Sequence, residues 1–220
     1  MARHAAGPRA IIAGMRDLPA SAHLPPPVTD AVEEQLAERV IDSVVVHRGR
    51  YLEVRVETTE RADGSRHQRD IVRHPGAVAI VALDEADRLL LVRQWRQPAG
   101  RSLLEIPAGT LDRDPATGAI EDPELASRRE LEEETGYRAQ RWEKLGSFWT
   151  APGFASELMH LYLATGLVAA RHGRLTPDAD EALELLRLPV ADAQAAVERG
   201  EVHDAKTLIA ILLLGRRRSA

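Results

Sequence analysis

The chain has 220 residues, 44% of them hydrophobic, and a formal net charge of −5 at pH 7. That length allows one sizeable core with room for a small accessory lobe, and the acidic balance makes nucleic acid an unexpected partner. The absence of cysteine excludes disulfides and thiolate metal sites, and no apolar run is longer than Leu208 to Leu214, which is too short to span a membrane.

Residues 1–34 read as a peripheral or disordered arm, with Pro25-Pro26-Pro27 and little periodicity. Met15 is an alternative start. The apolar pair Ile11-Ile12 is too brief for a secretory signal, and a cytoplasmic location is expected. Residues 35–74 turn to β signals. Ile41 to Val46 is rich in β-branched side chains, and Leu52, Val54 and Val56 alternate with Glu53, Arg55 and Glu57, as in a half-buried strand. Asp63-Gly64 marks a turn, and the polar stretch to Val72 reads as the return strand. A sheet this small is not expected to fold alone, which points to packing on a second subunit.

Residues 75–220 form the main unit. Ala77 to Leu83 reads as a strand buried on both faces, followed by a turn over 84–87 and a partner strand from Leu89 to Val92. Leu103 to Ile106 is a brief strand before the Pro107 break. Further strands are expected at Lys144 to Trp149, Leu158 to Ala164 and Leu183 to Leu188, and helices at Val190 to Arg199 and Ala205 to Leu214. His203 or Asp204 can cap the second helix. The order of elements predicts an α/β fold, a mixed sheet with helices packed on it. Lys144 and Lys206 are the only lysines in a chain that otherwise uses arginine, which codon bias explains.

Between these strands lies Arg129-Glu130-Leu131-Glu132-Glu133-Glu134-Thr135-Gly136, with four carboxylates in five positions. Asp122 is a good N-cap, Pro123 a good first helical residue and Gly136 a good stop. At about 100° per residue, Glu130, Glu133 and Glu134 share one face while Glu132 points away. Such a face is self-repelling. It is either a solvated charge run or a seat for a hard cation, Mg²⁺ or Mn²⁺. Arg129 stands one turn before Glu133 and can orient it.

The stretch resembles the Nudix box, whose pattern is Gly, five residues, Glu, seven residues, Arg-Glu-apolar-x-Glu-Glu-x-Gly-apolar. Glu121, Arg129, Glu130, Leu131, Glu133, Glu134, Gly136 and Tyr137 fall in register. Pro115 stands where the box glycine would be, so Gly109 takes that part if Arg113–Gly118 or a similar run is an insertion. The resemblance implies a Nudix-type α/β/α sandwich and Mg²⁺-dependent hydrolysis of a phosphoanhydride. It implies that Glu130, Glu133 and Glu134 hold metal, with the Ala108 carbonyl and Glu121 assisting and Arg129 locking a glutamate in place. No Walker loop, Gly-x-Ser-x-Gly elbow or dinucleotide glycine motif competes with this reading.

Features outside the box resemble the ADP-ribose pyrophosphatase branch. Pro152, fifteen residues beyond Tyr137, matches a proline of the substrate loop, with Gly153 beside it and Glu157 following. By the resemblance Glu157 is base or metal ligand. Arg96 and Glu105 match residues that contact substrate, and Trp95 either stacks on adenine or fills core, the core being favoured. The branch implies a homodimer built through the N-terminal β lobe, and cleavage of ADP-ribose to AMP and ribose 5-phosphate. The alternatives are another nucleoside diphosphate sugar, ADP-glucose or GDP-mannose, or a non-catalytic nucleotide-sugar binding module. None of the eight histidines has zinc-site spacing, and His74 and His160 read as packing or surface residues.

Overall fold

A computed structural model describes residues 29–170, 175 and 182–219. The expectations for residues 1–28, including the alternative start, lie outside the described residues. The end of the expected arm, residues 30–34, and the first two residues of the expected β lobe form an exposed helix, α1 (Asp30–Leu36), with Asp30 and Glu33 in its first turn. Acids there complement the helix dipole, a local signal that apolar periodicity does not register.

Strands β1 (Glu38–Arg48), β2 (Glu53–Arg61) and β3 (Arg66–Arg73) form an antiparallel sheet in that order. The β2–β3 turn is the expected one. Gly64 takes φ 79°, and the Asp63 carboxylate accepts the Ser65 amide at 2.9 Å. Glu38 is the electrostatic hub of the sheet. It accepts from Arg69 and Arg61, and Arg69 above all holds its carboxyl down to about 2. The outer strand β1 leaves Val40, Val44 and Val46 exposed at 46%, 52% and 57%.

The main unit is built around β4 (Ala77–Ala82), whose six residues are all buried. Its odd-numbered side chains enter one core with Leu91 and Leu161, against α3 (Val190–Glu198) and α4 (Ala205–Ser219). Its even-numbered side chains enter a second core with Ala126 and Leu131 of α2 (Pro123–Thr135). Each fully buried Val or Ile contributes about 1.5–3 kcal/mol, so burial on both faces fixes β4 as the centre of the sandwich. It pairs in parallel with β9 (Leu158–Ala169) and antiparallel with β7 (Ala108–Thr110), and β8 (Tyr137–Trp149) completes a mixed sheet in the order β7-β4-β9-β8.

The segment expected as the partner of β4 goes elsewhere. Strand β5 (Arg88–Arg96) touches β4's continuation only at the Leu83–Leu89 bridge, then pairs with β6 (Arg101–Glu105) and β10 (Glu184–Pro189) in a separate antiparallel sheet. Leu90 enters one core while Leu89 and Leu91 enter the other, so its apolar run does not specify a partner. Among the described residues, no helix is long and apolar enough to cross a membrane.

Candidate active site

Helix α2 is capped as its sequence dictates. The Asp122 carboxylate accepts the amides of Glu124 and Leu125 at 2.9 and 3.1 Å, and Gly136 ends the helix at φ 71°. Leu131 is buried in the core, and Glu130 and Glu134 are buried as well. Glu132 leaves that face, yet it too is buried, paired with Arg138 at 2.6 and 2.7 Å.

Arg129 gathers the acids. Its guanidinium donates to Glu121 at 2.9 Å, Glu130 at 2.7 Å and Glu133 at 2.8 Å. Burial works against its charge, but the Glu121 hydrogen bond and the Glu130 charge outweigh this and hold it firmly protonated. Glu134 accepts the Ala108 amide at 3.0 Å, which brings the helix acids against the Pro107 break.

Gly109 is the glycine this packing demands. A Cβ there would lie 1.9 Å from Glu130 Oε1. The residues between Gly109 and Glu121 make a closed excursion. Asp114 accepts the amides of Ala116 and Thr117, Arg113 bridges to Ile120, and the Glu121 amide returns to the Asp112 carbonyl at 2.9 Å. Extra length is absorbed outward, as loop closure permits at low cost, and Glu121 still reaches Arg129. Gly109→Ala should leave the fold standing, because the clashing atoms end a flexible side chain. It should displace the Glu130 carboxylate and cut activity by about 10²-fold, the scale of an ångström of misplacement. Turnover measured beside a thermal melt checks both halves.

Among the described residues no three carboxylate or imidazole groups converge at ligand spacing, because Glu121, Glu130 and Glu133 lie folded on Arg129. The donor set nevertheless fits a hard divalent cation. It is all oxygen, and the Gly109 backbone leaves room for the Glu130 carboxylate.

Ala108, Gly109, Arg129, Glu130 and Glu133 help line a cleft of about 1740 Å³, together with Tyr51 from the β1–β2 connection, His74, Arg96 and Lys206. Glu157 lines the same cleft. Thr150 Oγ1 donates to its Oε2 at 2.5 Å, and His74 Nε2 stands 3.7 Å from its Oε1. Burial pulls the His74 ring below its ordinary pKa, and the Glu157 charge partly offsets this. His74 was expected as packing or surface; it faces the cleft because β3 carries it there. Pro152 and Gly153 sit at the exposed tip of the same loop and do not line the cleft.

Trp95 is 58% exposed at the cleft wall, which overturns the core reading: β5 runs on past the core it crosses at Leu89–Val92. Arg96 forks onto Glu105 at 2.7 and 2.6 Å. Glu105 is fully buried, and it also accepts from Lys206 Nζ at 2.5 Å. Burial alone would raise its carboxyl, but Arg96 and Lys206 hold it below the usual range. Glu105 therefore aims Arg96 from beneath. Asp204 caps α4 on the Thr207 amide at 3.0 Å, as expected, and accepts from Lys206 at 3.0 Å. Lys206 is the residue that sequence reasoning missed. Its rarity in an arginine-rich chain was the available signal.

The NUDIX domain family matches residues 73–210. The chain is 40% identical over 181 residues to the ADP-ribose pyrophosphatase of Bacillus subtilis (strain 168), covering 82% of this chain and 94% of that protein. It is 39% identical to the methanol dehydrogenase activator of Bacillus methanolicus, covering 80% and 92%. A crystal structure of an ADP compounds hydrolase superposes with a TM-score of 0.68 at 25% identity, covering 81% of this chain and 92% of that one.

Proposed function

The chain belongs to the NUDIX family, and on that premise we propose that it hydrolyses the pyrophosphate bond of ADP-ribose, giving AMP and ribose 5-phosphate. The observation that carries this reading is the acid face of α2, gathered by Arg129 beneath a cleft whose wall also presents the Arg96 fork. Glu130, Glu133 and Glu134 would hold Mg²⁺, or Mn²⁺ in its place, with the Ala108 carbonyl and Glu121 assisting. Such an ion neutralises phosphate charge and makes bound water a better nucleophile. Arg129 keeps the acids in place. Arg96 binds the diphosphate through paired donors, with its direction set by Glu105. Trp95 offers an exposed ring face to the base. Pro152 and Gly153 shape the loop that carries Glu157, which acts on the attacking water or on the metal.

Specificity is tested with purified protein and a panel of ADP-ribose, ADP-glucose and GDP-mannose. The highest kcat/KM is expected for ADP-ribose. A higher value for either sugar nucleotide would move the assignment within the class, and tight binding without product would make the chain a sensor.

The N-terminal sheet is proposed to build a homodimer. Val40, Val44 and Val46 lie exposed along its outer strand, and a second copy of the chain would cover them. Light scattering at micromolar concentration should give about twice the chain mass, and a clean monomer would remove this assignment. A cytoplasmic location accords with a nucleotide-sugar substrate.

A further inference from the structure

Strand β3 is laced to the loop that carries Glu157. Val72 donates its amide to the Phe154 carbonyl at 2.8 Å and accepts the Ser156 amide at 2.9 Å. Just past the end of the strand, the His74 amide donates to Ser156 Oγ at 2.9 Å, and that hydroxyl donates back to the His74 carbonyl at 3.3 Å. The backbone of His74 is thereby fixed relative to the residue just before Glu157.

The ring of His74 is oriented from its other side. The Gly76 amide donates to Nδ1 at 3.1 Å. A backbone amide can only donate, so Nδ1 carries the lone pair and the proton of the neutral ring sits on Nε2. Nε2 is the atom that faces Glu157 Oε1, at 3.7 Å. One bridging water or a small rotation closes that gap. The other carboxylate oxygen is already held by the Thr150 hydroxyl at 2.5 Å. Thr150, His74 and Glu157 all line the cleft.

We propose that His74 is a positioning residue for Glu157: its Nε2–H, aimed by the Gly76 amide, and the Thr150 hydroxyl hold the carboxylate from both sides and set its direction into the cleft. The proposal rests on the reading that Glu157 takes part in hydrolysis. A competing role is local, with the ring merely closing the His74-Pro75-Gly76 corner through Nδ1.

Side-chain isosteres separate the two. Asn at 74 keeps an acceptor near the place of Nδ1 but has no donor long enough for Glu157. Gln keeps a donor near the place of Nε2 and loses the corner acceptor. His74→Asn should lower kcat for ADP-ribose by about 10–100-fold, the usual cost of losing a partner that orients a site residue, with KM little changed. His74→Gln should stay within a few fold of the parent. In a Glu157→Gln background His74→Asn should cost nothing more. Thermal melts identify any variant that has lost its fold, and the Gln variant then carries the comparison. The reverse order, Asn active and Gln impaired, would assign the ring to the corner and overturn the proposal. So would a His74→Asn loss that persists undiminished without the Glu157 carboxylate. If Glu157→Gln alone is fully active, the reading of Glu157 falls and the proposal falls with it. If Glu157→Gln is impaired while His74→Asn is not, the proposal alone falls.

Discussion

Glu134→Gln is expected to remove nearly all turnover while leaving the fold intact. Gln keeps the shape of the side chain and an oxygen to accept the Ala108 amide, now at 3.0 Å. It loses one negative charge at the proposed metal seat. Metal assistance is worth several kcal/mol of transition-state stabilisation. At about 1.4 kcal/mol per decade, a loss of roughly 10³-fold follows. Stability should hold or rise slightly, because Glu130 and Glu134 lie one turn apart and repel. Glu133→Gln should act in the same direction, although Arg129 then keeps one fewer charged partner. A variant carrying both changes that still turned over ADP-ribose at the parent rate would falsify the metal assignment.

Glu157→Gln is expected to cut kcat by about 10²–10⁴-fold with KM for ADP-ribose nearly unchanged, if the carboxylate serves as general base. Its setting supports a role in the chemical step over one in binding. It lines the same cleft as Glu130 and Glu133, and its two oxygens face Thr150 and His74 instead of an arginine. Loops with such a carboxylate often gate hydrolysis. Titration with Mg²⁺ separates the roles. A loss that excess Mg²⁺ largely restores marks a metal ligand, and a loss that it leaves untouched marks a base. Full activity at every Mg²⁺ concentration would leave Glu157 as a loop residue and pass the role to Glu121 or Glu133.

Much of this site was legible in the sequence because its residues act through one short helix. The cap at Asp122, the stop at Gly136 and the shared face of Glu130, Glu133 and Glu134 follow from helical spacing alone. The role of Gly109 needed the structure. Nothing in the sequence shows that a Cβ would strike Glu130, and Pro115 fell where the pattern asks for glycine. The buried cluster around Glu105 was hidden for a different reason. Glu105, Lys206 and Asp204 are brought together by a sheet edge and a helix start distant in the chain, and local periodicity carries no trace of that. His74 was undervalued on the same ground, since its neighbour Glu157 is more than eighty residues away along the chain.

The strands differ in how much of their pairing is written into local sequence. β4 was clear because both its faces are buried, and β2 and β3 because Asp63-Gly64 joins them. The first half of β8 was missed. Its outward side chains, Arg138, Gln140 and Arg141, break the apolar alternation that the inward ones supply. β7 spans only Ala108–Thr110 and has no pattern to read; it exists because its backbone pairs with β4 beside the acid helix.

Whether this cleft breaks a pyrophosphate with metal assistance is tested directly by one measurement. Purified full-length protein is incubated with ADP-ribose, and the products are separated and identified in Mg²⁺, in EDTA, and in EDTA followed by excess Mg²⁺. AMP and ribose 5-phosphate in equal amounts are expected with Mg²⁺, none with EDTA, and recovery when Mg²⁺ is returned. An unchanged rate in EDTA, or intact ADP-ribose after prolonged incubation with Mg²⁺ or Mn²⁺, would contradict it.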